Sequence, residues 1–327
     1  MTSPRNQLIQ LIEHGSVPMD RVDDALSAAN IIPDGNSWHG FVDRLLLWLG
    51  SLALAFSALF FIAYNWDELG RFAKFGMVEG LMLLSIAVYW KSGSRELIGK
   101  VSLLVTTILL GVLLALYGQT YQTGADPWQL FFNWALLMLP WAVIGRFPAI
   151  WILWAVLINL SIVLYHQTFR SIFGLMFNSG IEVLWALFFF NTIALVVWEY
   201  FARSVSWLSE RWAMRMLAAG GGVAITWIML SVIFGSGKNA LLSGLVWSAW
   251  LLCLYLFYRK RRPDLFMLAG ACLTGIVVTI SYVSKYLLRS WDAGGLLLLA
   301  LIVIGLGSGA AIWLKSVHKE YSHEPKD

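Results

Sequence analysis

Asp126, Gln129 and Asn133 stand three and four residues apart, the spacing that puts side chains on one face of an α-helix. Just before them, Gln119, Thr120, Gln122 and Thr123 crowd into the segment YGQTYQTGADPWQ, which contains no Lys or Arg. Amides and hydroxyls at that density can hydrogen-bond a polar or amphiphilic ligand, and Asp126 adds a carboxylate. A second segment, NWDELGRFAKFGMVEG, places Asp67, Glu68 and Glu79 beside Arg71 and Lys74. Carboxylates next to cations can bind a charged group, exchange a proton, or simply pair with each other. Asp67, Glu68, Glu79, Gln119, Gln122, Asp126, Gln129 and Asn133 form the candidate ligand-binding set. No catalytic residue and no metal ligand is assigned.

The elements that must position these residues are set by composition. The chain is 59% hydrophobic and 13% charged, with 18 Trp and 19 Phe, and its mean hydropathy is +0.71. Soluble domains run near a quarter charged, so lipid is the expected solvent. Apolar runs of about 20 residues, enough to cross a bilayer as helix, recur about ten times. They fall at Leu45–Tyr64, Ala73–Trp90, Val101–Tyr117, Trp128–Ile144, Pro148–Tyr165, Ile181–Phe201, Met216–Phe234, Ala240–Tyr258, Leu265–Leu287 and Gly294–Leu314. Between the fourth and fifth only Gly145–Phe147 intervenes, and Pro148 then opens a helix, where its missing N–H costs nothing. The expected fold is an all-α, polytopic transmembrane bundle of about ten spans (residues 45–314). A cytoplasmic helical hairpin (residues 1–44) precedes it and a cytoplasmic tail (residues 315–327) follows. The first apolar run starts too late for a cleaved signal peptide, so that span is expected to serve as an anchor.

Charge sets the expected orientation. With the N-terminus cytoplasmic, seventeen Lys and Arg side chains fall inside and six outside, which places both termini at the cytoplasmic face. The net charge of +4 and pI near 9.0 do not indicate a nucleic-acid partner, because the charges sit between apolar runs. The densest group, Arg259, Lys260, Arg261 and Arg262 in RKRRPD, suits anionic lipid headgroups. Within residues 1–44, Leu8, Leu11 and Ile12 share one helical face, and Val22, Leu26 and Ala29 share another before Pro33. Such a hairpin is either a passive cap or a docking module.

Several residues have structural as well as functional readings. Asp126 with Pro127 and Gln129 reads as a helix start, with Asp126 at the cap and proline at the first position. Gly118 reads as the stop of the preceding helix. Asn133, about 10 Å below that start, is not explained by capping; it either bonds across helices or meets a ligand. Glu79 lies two turns into a span, where a charge costs about 2.5–3.5 kcal/mol and faces a cavity or partner; Arg71, Lys74, Lys285 and Arg289 are candidates to pair with it. Gly76 and Gly80, Gly220–Gly222, and Gly305 with Gly309 have the small-residue spacing of close helix contacts. Asn159 and Asn191 can join the polar set or satisfy neighbouring helices, while Glu182 and Glu199 lie near span ends and can reach the interface. Cys253 and Cys272 sit inside apolar runs and read as small hydrophobes.

The histidines show no metal-ligand spacing, and there is no phosphate loop, nucleophile elbow or CxxC pair, so no cofactor is expected. YNWDELGRFAKFGMVEGLMLL and YGQTYQTGADPWQLFFNWALLMLPWA resemble the signature segments of the bacterial membrane-protein family known as domain of unknown function 2157. The resemblance covers roughly Gln7 to Tyr165 and includes the N-terminal hairpin. It implies a bacterial inner-membrane protein and carries over no activity and no catalytic residue. Three functions are open. One is binding or transport of a polar or amphiphilic ligand through an outward-facing polar cavity lined by the candidate set. Another is an envelope accessory protein docking partners through the hairpin or outer loops. The third is an intramembrane enzyme using Glu79 or Asp126.

Overall fold

A computed structural model describes residues 11–12, 17–18, 22–28, 38–43, 45–46, 49, 68–93, 96–172, 180–235, 239–287 and 293–323. Two units divide the chain, Met1–Ala73 and Lys74–Asp327. In the first, helix α1 (Val22–Ala28) lies where the second helix of the hairpin is expected, and residues 38–43 are helical. Most of the span Leu45–Tyr64, and with it Asp67, lies outside the described residues.

The second unit is helical throughout its described length. Its elements are α2 (Arg71–Ser92), which starts three residues before the unit, α3 (Leu97–Tyr121), α4 (Pro127–Leu137), α5 (Leu139–Gly145) and α6 (Pro148–Ile172). There follow α7 (Ile181–Phe201), α8 (Arg211–Phe234), α9 (Ala240–Lys260), α10 (Leu265–Leu287) and α11 (Ala293–His323). With α4 and α5 taken together, nine helices among the described residues are long and apolar enough to cross a membrane. They correspond to the second to tenth expected spans. The chain is therefore a multi-pass, all-α membrane protein.

Local chemistry explains the irregular points. Pro140 cannot donate to the carbonyl of Leu136, so the helix breaks at Met138. Hydrogen bonds from Met138 N–H to Trp134 O and from Ala142 N–H to Met138 O carry the chain across the break. Arg146 takes a left-handed φ of 44°, which reverses the chain and lets Pro148 start α6. Gly118 does not end α3. The helix runs on to Tyr121, and Gln122 takes the left-handed conformation with φ 45°.

Helix α8 is the most enclosed span. Its small residues Ala213, Ala218, Gly221, Gly222 and Ala224 are buried with Leu217, Ile225 and Ile228, which lets α7, α9 and α10 approach closely. A Cβ on Gly220 would lie 2.8 Å from Asn191 Oδ1, and one on Gly222 would lie 3.1 Å from the Trp250 ring. A second core joins Leu103, Ala135, Met138, Ala142, Ile150 and Leu157 from α3 to α6.

Polar side chains stitch these helices together. Asn159 and Asn191 form a reciprocal amide pair, at 3.3 Å and 2.6 Å, and each also donates to the carbonyl one turn back in its own helix. Ser85 and Thr106 bond at 2.6 Å between α2 and α3. Trp134 Nε1 donates to Thr107 O at 2.7 Å, over Gly111, where a Cβ would strike the Trp134 ring. By contrast Gly76, Gly80, Gly305 and Gly309 have open space where a Cβ would sit, so the close contacts expected of them are absent among the described residues.

These environments separate two classes of glycine. Gly111→Val is expected to overpack the α3–α4 contact at about 1–3 kcal/mol and lower the thermal midpoint in detergent. Gly305→Val should leave that midpoint nearly unchanged.

Candidate functional site

Ring contacts show which helix ends lie together. Phe75 meets Tyr121 at a centroid distance of 6.2 Å, and Trp128 meets Tyr165 at 5.2 Å. The start of α2, the end of α3 and the start of α4 thus share one end of the bundle. That end holds six of the eight candidates: Glu79 on α2, Gln119 and Gln122 closing α3, and Asp126, Gln129 and Asn133 opening α4. Glu68 belongs to the first unit, and Asp67 lies outside the described residues.

Among the described residues, none of the six side chains carries a hydrogen bond or ion pair. Asp126 occupies the cap position with extended backbone, yet its side chain makes no capping bond; Gln129 N–H bonds the Asp126 carbonyl instead. Glu79, Gln119, Gln122 and Asn133 are exposed, while Asp126 and Gln129 are half-buried. Of the cations expected to pair with Glu79, Lys285 donates through Nζ to the Ile233 carbonyl at the end of α8, and Arg289 lies outside the described residues. The six form an open surface. Four cavities open on the described helices, with volumes of about 550, 400, 320 and 510 Å³, and their walls are overwhelmingly apolar. None of these six lines any of them.

The opposite end carries a charged network that sequence reasoning missed. Asp264, in the α9–α10 connection, is 5% exposed. It accepts from Arg215 Nε and Nη2 at 3.2 Å each, from Arg211 at 3.4 Å and from the backbone N–H of Phe266 at 3.0 Å. Glu199, near the end of α7, accepts from Tyr258 Oη at 2.8 Å and from Arg262 at 3.1 Å. It is buried and turned inward to these partners. Arg259 pairs with Glu320 and lies over the Tyr321 ring, whose hydroxyl donates to the carbonyls of Tyr258 and Arg259. Two of the four cations in RKRRPD therefore serve internal ion pairs, and Lys260 and Arg261 stay exposed. The available signal was a pairing rule: an acid near a span end, at the same end as a cationic cluster, is a partner for it.

A helical bundle with apolar spans, polar groups bonded across helices and charges gathered at the span ends defines a multi-pass integral membrane protein. Residues 13–151 match the model of the family described as Predicted membrane protein (DUF2157), the family the sequence resembles. Comparison with curated proteins and with solved structures found no match.

Loss of Asp264 would leave the Arg215 guanidinium and a helix start without their acceptor, and Arg211 with the Pro263 carbonyl alone. Asp264→Ala is expected to cost about 1–3 kcal/mol and to lower the thermal midpoint in detergent. Glu320→Ala removes a solvent-facing pair and should cost under about 1 kcal/mol in the same assay.

Proposed function

We propose that the protein binds a polar or amphiphilic ligand at the end of the bundle that carries Glu79, Gln119, Gln122, Asp126, Gln129 and Asn133. One contrast supports the reading. Ser85, Thr106, Asn159 and Asn191 bond across helices, whereas these six side chains keep their polar atoms free among the described residues. Amides and carboxylates that hold nothing inside the bundle are available to a ligand. The aromatic side chains Phe75, Tyr117, Tyr121, Trp128 and Tyr165 at the same end suit the apolar part of an amphiphile, since such rings favour the membrane interface. The site is a surface between helix ends, which favours binding over passage through a polar cavity.

The distribution of Lys and Arg supports an orientation with both termini at the cytoplasmic face of a bacterial inner membrane. The ligand surface then faces outward. A second reading, an accessory protein whose partner covers this surface, is favoured by one observation. Gly76, Glu79 and Gly80 share an exposed stretch of α2 with open space at both glycines.

Native mass spectrometry of the protein released from lipid nanodiscs tests the two. A discrete bound species in the wild type that disappears in Gln119→Ala/Asp126→Ala is the expected result. If neither protein retains a species, the ligand reading fails and a partner becomes the better account. Glu79→Gln should weaken retention at least several-fold while leaving the thermal midpoint unchanged, because Glu79 makes no internal bond.

A further inference from the structure

We infer that the groove between α7 and α9 is a binding site for the acyl chain of an anionic phospholipid, with its headgroup on Arg203. The groove has a volume of about 320 Å³, within the range of small-ligand sites. Its walls are apolar along most of their length, with Leu195, Val196, Trp250, Leu254 and Phe257 contributing. Its charged groups, Glu199 and Arg203, line it at the charged end of the bundle beside Tyr258. An apolar trough with a polar mouth is the shape of an amphiphile.

Length and charge identify which amphiphile. Thr192 marks the inner end of the groove and Arg203 the mouth. From Thr192 to Phe201 the helix rises about 14 Å at 1.5 Å per residue, about half of a hydrocarbon core of roughly 30 Å. The groove therefore runs the depth of one leaflet. At the mouth, the Glu199 charge is already matched by Arg262 at 3.1 Å. Arg203 is exposed, and its guanidinium has no ion pair among the described residues. Lys260 and Arg261 add exposed positive charge at the same end. A headgroup of net negative charge meets that excess, whereas a zwitterionic head sets its own cation beside the phosphate. Deeper in the groove, Thr192 Oγ1 is buried without a hydrogen-bond partner. This site lies at the opposite end of the bundle from the surface proposed above and stands independently of it.

Cys253 lines the groove and is exposed, so its thiol reports occupancy. In a Cys272→Ser background it is the only cysteine of the 327 residues. The experiment measures its alkylation by N-ethylmaleimide, read by intact mass, in nanodiscs of phosphatidylglycerol or of phosphatidylcholine. The expected result is alkylation at least several-fold slower in phosphatidylglycerol, restored by Arg203→Gln to the phosphatidylcholine rate. The converse protein, Cys253→Ser with Cys272 retained, should be alkylated equally in both lipids, because Cys272 does not line the groove. Equal rates at Cys253 in the two lipids would overturn the proposal, as would slowing that persists in Arg203→Gln. Slowing by inorganic phosphate in phosphatidylcholine discs would also overturn it, by assigning the site to a free anion.

Discussion

Lipid offers a polar group no hydrogen-bond partner, and that deficit governs how the interior of this bundle is arranged. The amide pair of Asn159 and Asn191 is its clearest product. Each amide bonds the other and a carbonyl of its own helix, so two groups that are costly in hydrocarbon become a link between α6 and α7. The pair also dictates a neighbour. Gly220 faces Asn191 because a methyl there would come within 2.8 Å of the amide oxygen. The small residues of α8 thus follow from the polar group they flank as well as from the general need for close approach in membranes. Each such bond contributes only about 0.6 kcal/mol; its larger effect is to exclude helix registers in which the amides would go unpaired.

The two ends of the bundle solve the problem of charge differently. At one end Asp264 and Glu199 are withdrawn from solvent and saturated by Arg211, Arg215, Arg262 and Tyr258. Breaking such an arrangement costs more than forming it gains, because a lone buried charge is left behind. Its effect is to fix the ends of α7 to α10 against one another. At the other end, the polar side chains of α3 and α4 have no such obligations. Charge thus holds helices together at one end, while at the other the polar side chains of α3 and α4 named above hold nothing within the bundle among the described residues.

Much of this was legible in the amino-acid order. Spans bounded by polar residues or proline were read to the residue: Ile181–Phe201 and Leu265–Leu287 match α7 and α10, and Pro148 opens α6. Boundaries that depend on backbone conformation were not. Gln122 accepts a left-handed φ that glycine was expected to supply, and α3 gains a turn. Small-residue spacing was ambiguous for a physical reason: Gly220 and Gly305 share a motif, but only the first faces a neighbour among the described residues. Of the candidate site, the gathering of Glu79, Gln119, Asp126 and Asn133 at one end was readable from alternating helix direction. A lined cavity was not readable, because side-chain rotation about each helix axis is set by packing. The inward bonds of Glu199 to Tyr258 and Arg262 were not readable on the same ground, since proximity to a span end does not say which way a carboxylate turns.

The last helix carries a consequence of its own. At 31 residues, α11 extends about 46 Å at 1.5 Å per residue, well beyond a hydrocarbon core of roughly 30 Å. The overhang ends on Glu320 and Tyr321, which hold Arg259 at the end of α9. Each residue inserted or removed between Gly294 and Glu320 would turn those two side chains by about 100° around the helix axis. The stretch therefore behaves as a ruler with a phase. It can change by whole pairs of turns, about seven residues, and keep its grip on α9, but intermediate lengths would point the grip away.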